Sequence, residues 1–245
     1  MTRYSGSLIN NRSNQRTVVA LCLTLVLALT DSALGQTLGS SLERVEEDWV
    51  ALLAEPESAT TSPQIMNFIS PNQSTSEIFG LVQVNHRGAP EFSGGGLQVQ
   101  GWVGSSLMNT ANASRTEVLN RNADAVRYTV AMQKVSQGIR FELLNGRSRT
   151  WGQFATTPVS ATVPVNEPSL ADYSPDFSVA NTTVNLGAHR IDLLYLTATR
   201  LTYSDGMTVT DTTDRVIHRY QLNVEDVSLA EYEQNPEEYN FLITE

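Results

Sequence analysis

The stretch that decides the fold covers residues 92–103 and reads Phe-Ser-Gly-Gly-Gly-Leu-Gln-Val-Gln-Gly-Trp-Val. Successive side chains of a β-strand point to opposite faces, so two sets of residues separate after the glycines. One face carries the apolar and small side chains, which are Leu97, Val99, Gly101 and Val103. The other face carries the amides and the indole, which are Gln98, Gln100 and Trp102. The alternation predicts a strand with one face on the core and one polar face that carries a tryptophan.

Similar alternation recurs along the chain and predicts about ten strands with almost no helix. The most regular stretches are residues 64–69, 78–86, 125–135, 190–203 and 216–224. Residues 45–53 fit either a helix or a strand, and the Pro and Ser/Thr residues that follow favour a strand. We expect residues 105–124 and 156–175 to form loops, with one helical turn at 115–119, and residues 177–186 to form short strands. Evenly spaced strands without helices predict an all-β fold, a two-sheet antiparallel sandwich.

Two Asx-Gly pairs predict hairpins. Asn145-Gly146 lies between two alternating runs, which is typical of a two-residue type I′ turn. Such a turn would place Glu142 opposite Arg149, and Arg140 opposite Trp151. The second pair, Asp205-Gly206, would place Arg200 opposite Asp211.

The chain begins with a segment typical of a secretory signal. Residues 1–35 contain Arg3, Arg12 and Arg16, then an apolar run at 17–30, then small residues at Ala33 and Gly35. The apolar run is shorter than the roughly 20 residues that a membrane span needs. We therefore expect a secreted, periplasmic or cell-surface protein without a transmembrane segment after signal cleavage. A polar lead-in (36–44), a sandwich domain (45–227) and an acidic tail (228–245) would follow the signal.

Charge and cysteine content narrow the classes of partner and cofactor. The chain has 16 Lys+Arg against 26 Asp+Glu, a net charge of −10, and Lys134 is its only lysine. Nucleic-acid binding needs clustered cations, so we expect no nucleic-acid partner. The only cysteine, Cys22, lies in the predicted signal, which leaves no disulfide and no Cys-based metal site. We expect no cofactor. The alternative is a calcium site near Asp205, Asp211 and Asp214. The predicted turn already explains Asp205, and the predicted pairing with Arg200 already explains Asp211.

Three segments carry a resemblance to a known fold family. They are Gly-Gly-Gly-Leu-Gln-Val-Gln-Gly-Trp at 94–102, Arg-Phe-Glu-Leu-Leu-Asn-Gly at 140–146 and Thr-Trp-Gly-Gln-Phe at 150–154. These segments resemble the concanavalin A-like, laminin-G-like jelly-roll sandwiches of secreted bacterial proteins, over roughly residues 45–225. The resemblance implies a curved sheet with a concave face and often a carbohydrate or protein partner. It carries over no residue roles, because the Glu-x-Asp-x-x-Glu signature of glycosidases with this fold is absent.

The candidate ligand-binding residues are Gln98, Gln100, Trp102 and Trp151. A flat indole can stack on a sugar ring while neighbouring amides bind its hydroxyls. The alternative is that both tryptophans pack against other parts of the fold, with Arg140 as the partner of Trp151.

No catalytic motif is present. The sequence lacks Gly-x-Ser-x-Gly and His-Glu-x-x-His, and its histidines, at positions 86, 189 and 218, are far apart in sequence. We therefore expect an exported, non-catalytic β-sandwich that binds carbohydrate or another surface component. One alternative is a structural or protein-interaction module of the cell envelope. The other is a carbohydrate-active hydrolase or lyase, in which Glu142 would be the first carboxylate to test.

Overall fold

The computed structural model describes residues 39–53, 62–86, 96–115, 117–119 and 124–219. The predicted signal (1–35), residues 36–38 of the predicted lead-in and the predicted acidic tail (228–245) lie outside these residues. Within them the structure confirms the all-β fold, because two antiparallel sheets pack as a sandwich. Among the described residues, no helix has both the length and the apolar composition that crossing a bilayer requires.

The described residues form thirteen strands and one α-helix. In chain order they are β1 (Leu42–Leu53), β2 (Gln64–Ile69), β3 (Ile78–Val84), β4 (Gly96–Val103), β5 (Ser106–Ser114), β6 (Ala125–Val135), β7 (Gly138–Ser148), β8 (Gly152–Phe154), β9 (Val159–Pro164), α1 (Pro175–Asn181), β10 (Thr183–Leu186), β11 (Ile191–Tyr203), β12 (Thr208–Asp211) and β13 (Arg215–Arg219). The large sheet has the order β12-β11-β1-β6-β7-β8, with β13 also paired to β11 and β9 to β7. The small sheet has the order β10-β2-β3-β4-β5.

Strand β1 lies at the centre of the large sheet, between β11 and β6. It confirms the prediction of a strand at residues 45–53, and it begins at Leu42, inside the segment predicted as a lead-in. Its odd-numbered side chains from Val45 to Leu53 are all buried on the core face. Alternation within residues 125–135 puts four apolar side chains on one face of β6, and all four are buried: Val126, Tyr128, Val130 and Met132. Alternation therefore identified the core face of both central strands.

Two glycines bring the sheets close together. Gly80 of β3 and Gly101 of β4 are cross-strand partners, and the ring of Phe141 from the large sheet lies against them. A Cβ atom on Gly80 would overlap the Phe141 ring, and one on Gly101 would come within 2.5 Å of Val163. Phe141 is completely buried, so the glycine pair forms the recess that accepts it.

The predicted hairpin at Asn145-Gly146 is wrong. Strand β7 continues through both residues, and the chain reverses before β7 at Ser136-Gln137 and after it at residues 149–151. Asn145 has a left-handed backbone (φ 55°), but Gly146 serves packing, because a Cβ there would overlap the Phe154 ring. Asp124 stabilises the later turn by accepting the Arg149 and Thr150 N–H groups at 2.6 and 2.9 Å.

The side-chain pairs expected from that hairpin are also wrong. Glu142 accepts a hydrogen bond at 2.8 Å from Arg44 and not from Arg149, the partner that the hairpin predicted. Arg140 lies opposite Gln133 and Thr162, while Trp151 contacts Arg115. The second hairpin is confirmed with its register shifted by one residue, so Arg200 faces Thr210. The shift arises because its loop has an additional residue, closed by the Tyr203 N–H···O=C Met207 bond of 2.9 Å.

Three expected loop or strand segments differ from the structure. Residues 105–124 contain β5 and residues 156–175 contain β9. Helix α1 occupies the start of the segment expected as short strands. Its signal is visible in the sequence, because the Ser174 side chain caps the Asp176 N–H at 3.2 Å and Pro175 follows the cap.

Candidate ligand-binding face

A row of amide side chains crosses the outer face of the small sheet. Gln64 donates to Gln83 at 2.6 Å, Gln83 donates to Gln98 at 2.8 Å, and Gln98 donates to Asn112 at 2.9 Å. Each residue comes from a different strand, from β2 to β5. We call these four residues the amide row. His86 lies at its first end, with Nδ1 3.0 Å from Gln64 Nε2 and from Gln83 Oε1.

Aromatic rings cover the opposite end of the same face. Phe79 of β3 lies opposite Trp102 of β4, and their rings are nearly parallel (3°) with centroids 6.0 Å apart. Phe68 stacks on the other side of Phe79 at 5.9 Å. Trp102 is half-buried, and its Nε1–H donates to Gln100 Oε1 at 3.1 Å. The indole is therefore fixed by a ring on one side and by an amide at its polar edge.

The small sheet has no charged residue in any of its strands. Strands β2, β3, β4, β5 and β10 lack Asp, Glu, Lys and Arg altogether. Leu81 and Gln100 lie between the amide row and the aromatic rings, and they are cross-strand partners. Gln64, Gln83, Gln98, Phe79 and Leu81 are at most 8% exposed. The accessible groups of this uncharged face are therefore Gln100, Trp102 and Asn112.

The structure unites three of the four predicted ligand-binding residues. Gln98 belongs to the amide row, and Gln100 and Trp102 contact each other beside it. Trp151 does not belong to this face, since it follows β7 of the large sheet. Its Nε1–H donates to the Glu117 carbonyl at 2.7 Å, and the Arg115 guanidinium lies 5.3 Å above its ring. Only 7% of Trp151 is exposed, and Phe154 packs edge-on against it, so its environment is that of a packing residue.

Sequence reasoning missed the residues that complete the face. Gln64, Gln83 and Asn112 extend the amide row, and Phe79 supports Trp102. Gln83 was detectable, because it alternates with the apolar residues Val82 and Val84 in a stretch that predicts a strand. Asn112 was not, since it lies in a polar segment without hydrophobic alternation.

The outer face of the large sheet carries charges that neutralise one another. Arg44 donates to Glu46 at 2.9 Å and to Glu142 at 2.8 Å, and Arg200 donates to Glu46 at 2.9 Å and also pairs with Asp48. Partial burial disfavours the charge on Glu46, but the hydrogen bonds from both arginines outweigh it and lower its pKa. With Arg140, which lies 4.0 Å from Glu142, three arginines are paired with three carboxylates in this group of side chains.

One carboxylate lies completely inside the sandwich. Glu47 accepts hydrogen bonds from Tyr173 at 2.8 Å and Ser178 at 2.5 Å on Oε1, and from Trp49 at 3.1 Å on Oε2. Burial raises its pKa from 4.5 to about 7, against the effect of these donors. Its exposure is 0%, so solvent does not reach it. Glu47 therefore joins α1 and the segment before it to β1.

The aspartates considered for calcium have protein partners. Asp205 accepts the Met207 N–H at 2.9 Å within its turn, and Asp211 pairs with Arg215 at 2.7 Å, not with Arg200. The Arg215 hydrogen bond lowers the pKa of Asp211 to about 2. Within the part of the chain that the structure describes, His, Asp and Glu side chains form no cluster that could hold a metal ion.

No protein-family model and no curated protein matches this sequence. Function is therefore inferred from the arrangement of the residues themselves.

Proposed function

We propose that this chain is an exported, non-catalytic protein that binds a neutral polysaccharide on the outer face of its small sheet. The observation that carries the proposal is the half-buried Trp102 indole, held beside Gln100 and the amide row on a face without charge. Export rests on the signal-like residues 1–35, which lie outside the described residues.

The two ends of the face suit the two surfaces of a sugar. A pyranose ring has an apolar C–H face, which packs on aromatic rings, and a rim of hydroxyl groups, which bond to amides. Phe79 covers one side of Trp102, so a ligand would contact the indole from the side of β5. Gln100 Oε1 accepts the indole N–H, and its amide N–H₂ group is positioned to donate to a hydroxyl.

The charge distribution favours a neutral ligand. A uronic acid or sulfated sugar needs cations to compensate its charge, and the strands of the small sheet have none. The net charge of −10 adds long-range repulsion toward polyanions.

Binding to soluble polysaccharides tests the proposal. Neutral glucans, mannans and xylans are compared with polyuronates, using wild type, Trp102→Ala, Gln100→Ala and Gln153→Ala. Gln153 is an exposed amide on β8 of the large sheet and provides the matched control for Gln100. We expect wild type to bind at least one neutral polymer, and Trp102→Ala to weaken binding about tenfold or more, a loss of about 1.4 kcal/mol.

Two results would contradict the proposal. One is the absence of binding to every neutral polymer by a folded wild-type protein. The other is equal binding by wild type and Trp102→Ala. Circular dichroism of each variant confirms that the comparison is made between folded proteins, and Trp102→Phe retains an aromatic ring if the alanine variant unfolds.

A further inference from the structure

Strand β5 differs from the other edge strands of the described sheets. At the ends of the sheets, β8, β10 and β12 have three, four and four residues, whereas β5 has nine. Strand β9 ends in Pro164 and β13 carries two arginines, which are features that discourage edge pairing. Strand β5 has no proline and no charge.

The side chains of β5 are also exposed. Leu107 and Met108 are 46% and 48% exposed, and Val103 at the end of the adjoining β4 is 39% exposed. The strand pairs with β4 on one side, and its inner face packs on β9, where Asn109 donates to the Thr162 carbonyl at 3.4 Å. Its other backbone edge is the end of the small sheet within the described residues. A long, uncharged edge of this kind is a template for pairing with another strand. The Thr110 N–H donates to Asn109 Oδ1 at 2.8 Å, and pairing would exchange this local bond for one to the second strand.

We infer that two copies of this chain pair through β5, antiparallel and about a two-fold axis, to form one continuous sheet. Each copy has a net charge of −10, and this edge brings no charged side chain of β5 against its equivalent. The edge strand β12 would instead bring Asp211 toward its equivalent, and the uncharged edge strands β8 and β10 offer only three and four residues for pairing.

The amide row selects the register of the pair. Each glutamine of the row donates to the next residue in the direction of β5. Asn112, the last residue of the row, accepts with Oδ1, and its Nδ2 group is left to donate beyond the edge of the sheet. A two-fold axis at Ala111 places Asn112 opposite Thr110 of the partner subunit, whose hydroxyl oxygen can accept this bond. An axis at Asn112 would instead bring two terminal donors together.

The β-bulge in β5 supports the same register. The irregularity lies where Trp102 pairs with Leu107 and Gly101 pairs with Asn109, so Met108 is the extra residue. From Asn109 onward the side chains alternate regularly between the two faces. An axis at Ala111 pairs residues 109–113 of the two copies, all within this regular part, so inward residues meet inward residues there.

The oligomeric state of the full chain, measured by analytical ultracentrifugation over a concentration series, tests the inference. We expect a monomer–dimer equilibrium that Thr110→Lys weakens at least tenfold, because the lysines would lie close together at the paired edges. Thr208→Lys adds the same charge on the edge strand β12 and leaves the dimer unchanged. The two exposed threonines make a matched pair.

Disulfide trapping tests the register in a Cys22→Ser background, which removes the only native cysteine. Paired antiparallel residues have Cα atoms about 4.5–5.5 Å apart, which suits a disulfide. Ala111→Cys should therefore crosslink across the axis under mild oxidation. Ser114→Cys should not, since its two copies would lie about 20 Å apart. A wild-type protein that is monomeric throughout overturns the inference. So does a dimer that survives Thr110→Lys, or one that crosslinks through Ser114→Cys and not through Ala111→Cys.

Discussion

The Ser178 hydroxyl donates to Glu47 Oε1 at 2.5 Å, and both side chains are completely buried. Ser178 belongs to α1 and Glu47 to β1, so this bond connects the only α-helix of the described residues to the large sheet. Tyr173 donates to the same oxygen from the segment before α1, at 2.8 Å. A carboxyl group therefore fixes the helix from inside the core, where the charged form is costly.

The first prediction concerns pH. The folded protein keeps the Glu47 proton up to a pKa of about 7, whereas the unfolded chain releases it near 4.5. The folded state therefore binds more protons in this interval, and the free energy of unfolding falls as pH rises from about 4.5 through 7. The difference between the two pKa values corresponds to about 3 kcal/mol. Burial raises the pKa of Asp192 to about 6, so its titration also lowers the free energy of unfolding as pH rises.

Urea unfolding between pH 4.5 and 8 measures this decline. We expect Glu47→Gln to flatten it substantially, because the amide cannot ionise, and the residual slope belongs to Asp192 and other groups. The exposed carboxylate Glu77 provides the control, since Glu77→Gln should retain the wild-type slope. A Glu47→Gln variant that declines as steeply as wild type would show that Glu47 titrates without a raised pKa.

The second prediction concerns Tyr173. Tyr173→Phe removes one donor from Glu47 and leaves the buried oxygen with fewer partners, so the free energy of unfolding should fall by about 1–3 kcal/mol. Tyr203→Phe, on the half-buried end of β11, should change it by less than about 0.5 kcal/mol. In the Glu47→Gln background the Tyr173→Phe loss should shrink, since the two residues interact directly. Purely additive losses in this double-mutant cycle would contradict the role given to the bond.

The third prediction concerns the glycine recess. Gly80→Ala places a Cβ against the buried Phe141 ring, and we expect it to lower the free energy of unfolding by about 1–3 kcal/mol. Phe141→Ala removes the two ring carbons nearest that Cβ, so Gly80→Ala should cost less in that background than in wild type. Gly152→Ala is the comparison, because nothing lies within 4 Å of its Cβ and only its left-handed backbone (φ 63°) opposes the substitution.

An equal cost of Gly80→Ala in the wild-type and Phe141→Ala proteins would exclude the close approach as its cause. Thermal or urea unfolding of the four proteins of this cycle supplies the measurement.

Sequence alone predicted the parts of the fold in which alternation has a single interpretation. Strands β2 and β6 were predicted with their observed bounds. For the central strands β1 and β6, alternation also identified the face that packs on the core. The Asn145-Gly146 hairpin failed because the same dipeptide signal can arise from packing: Gly146 leaves room for the ring of Phe154, its partner on the neighbouring strand β8. Strand β5 was missed because an exposed edge strand needs no hydrophobic alternation.

The candidate site was predictable only where alternation along a single strand places its residues. Gln98, Gln100 and Trp102 are neighbours on one strand, so alternation alone placed them on a common face. Their partners on β2, β3 and β5 depend on strand order and register, which the sequence does not encode locally. Trp151 was a candidate because of its indole, but it lies beside the large sheet, where it packs against Arg115 and Phe154.

The last prediction separates the three tryptophans by their accessibility. Trp49 is 0% exposed and Trp151 is 7% exposed, whereas Trp102 is half-buried on the outer face. Acrylamide should therefore quench mainly the Trp102 emission, and Trp102→Phe should remove most of the quenchable fraction. Trp151→Phe and Trp49→Phe should leave that fraction in place, while Trp151→Phe also loses the Glu117 hydrogen bond and about 1 kcal/mol of stability. A bound neutral polysaccharide should protect Trp102 from acrylamide. Quenching that persists at the wild-type level in Trp102→Phe would show that the accessible indole is not on the proposed binding face.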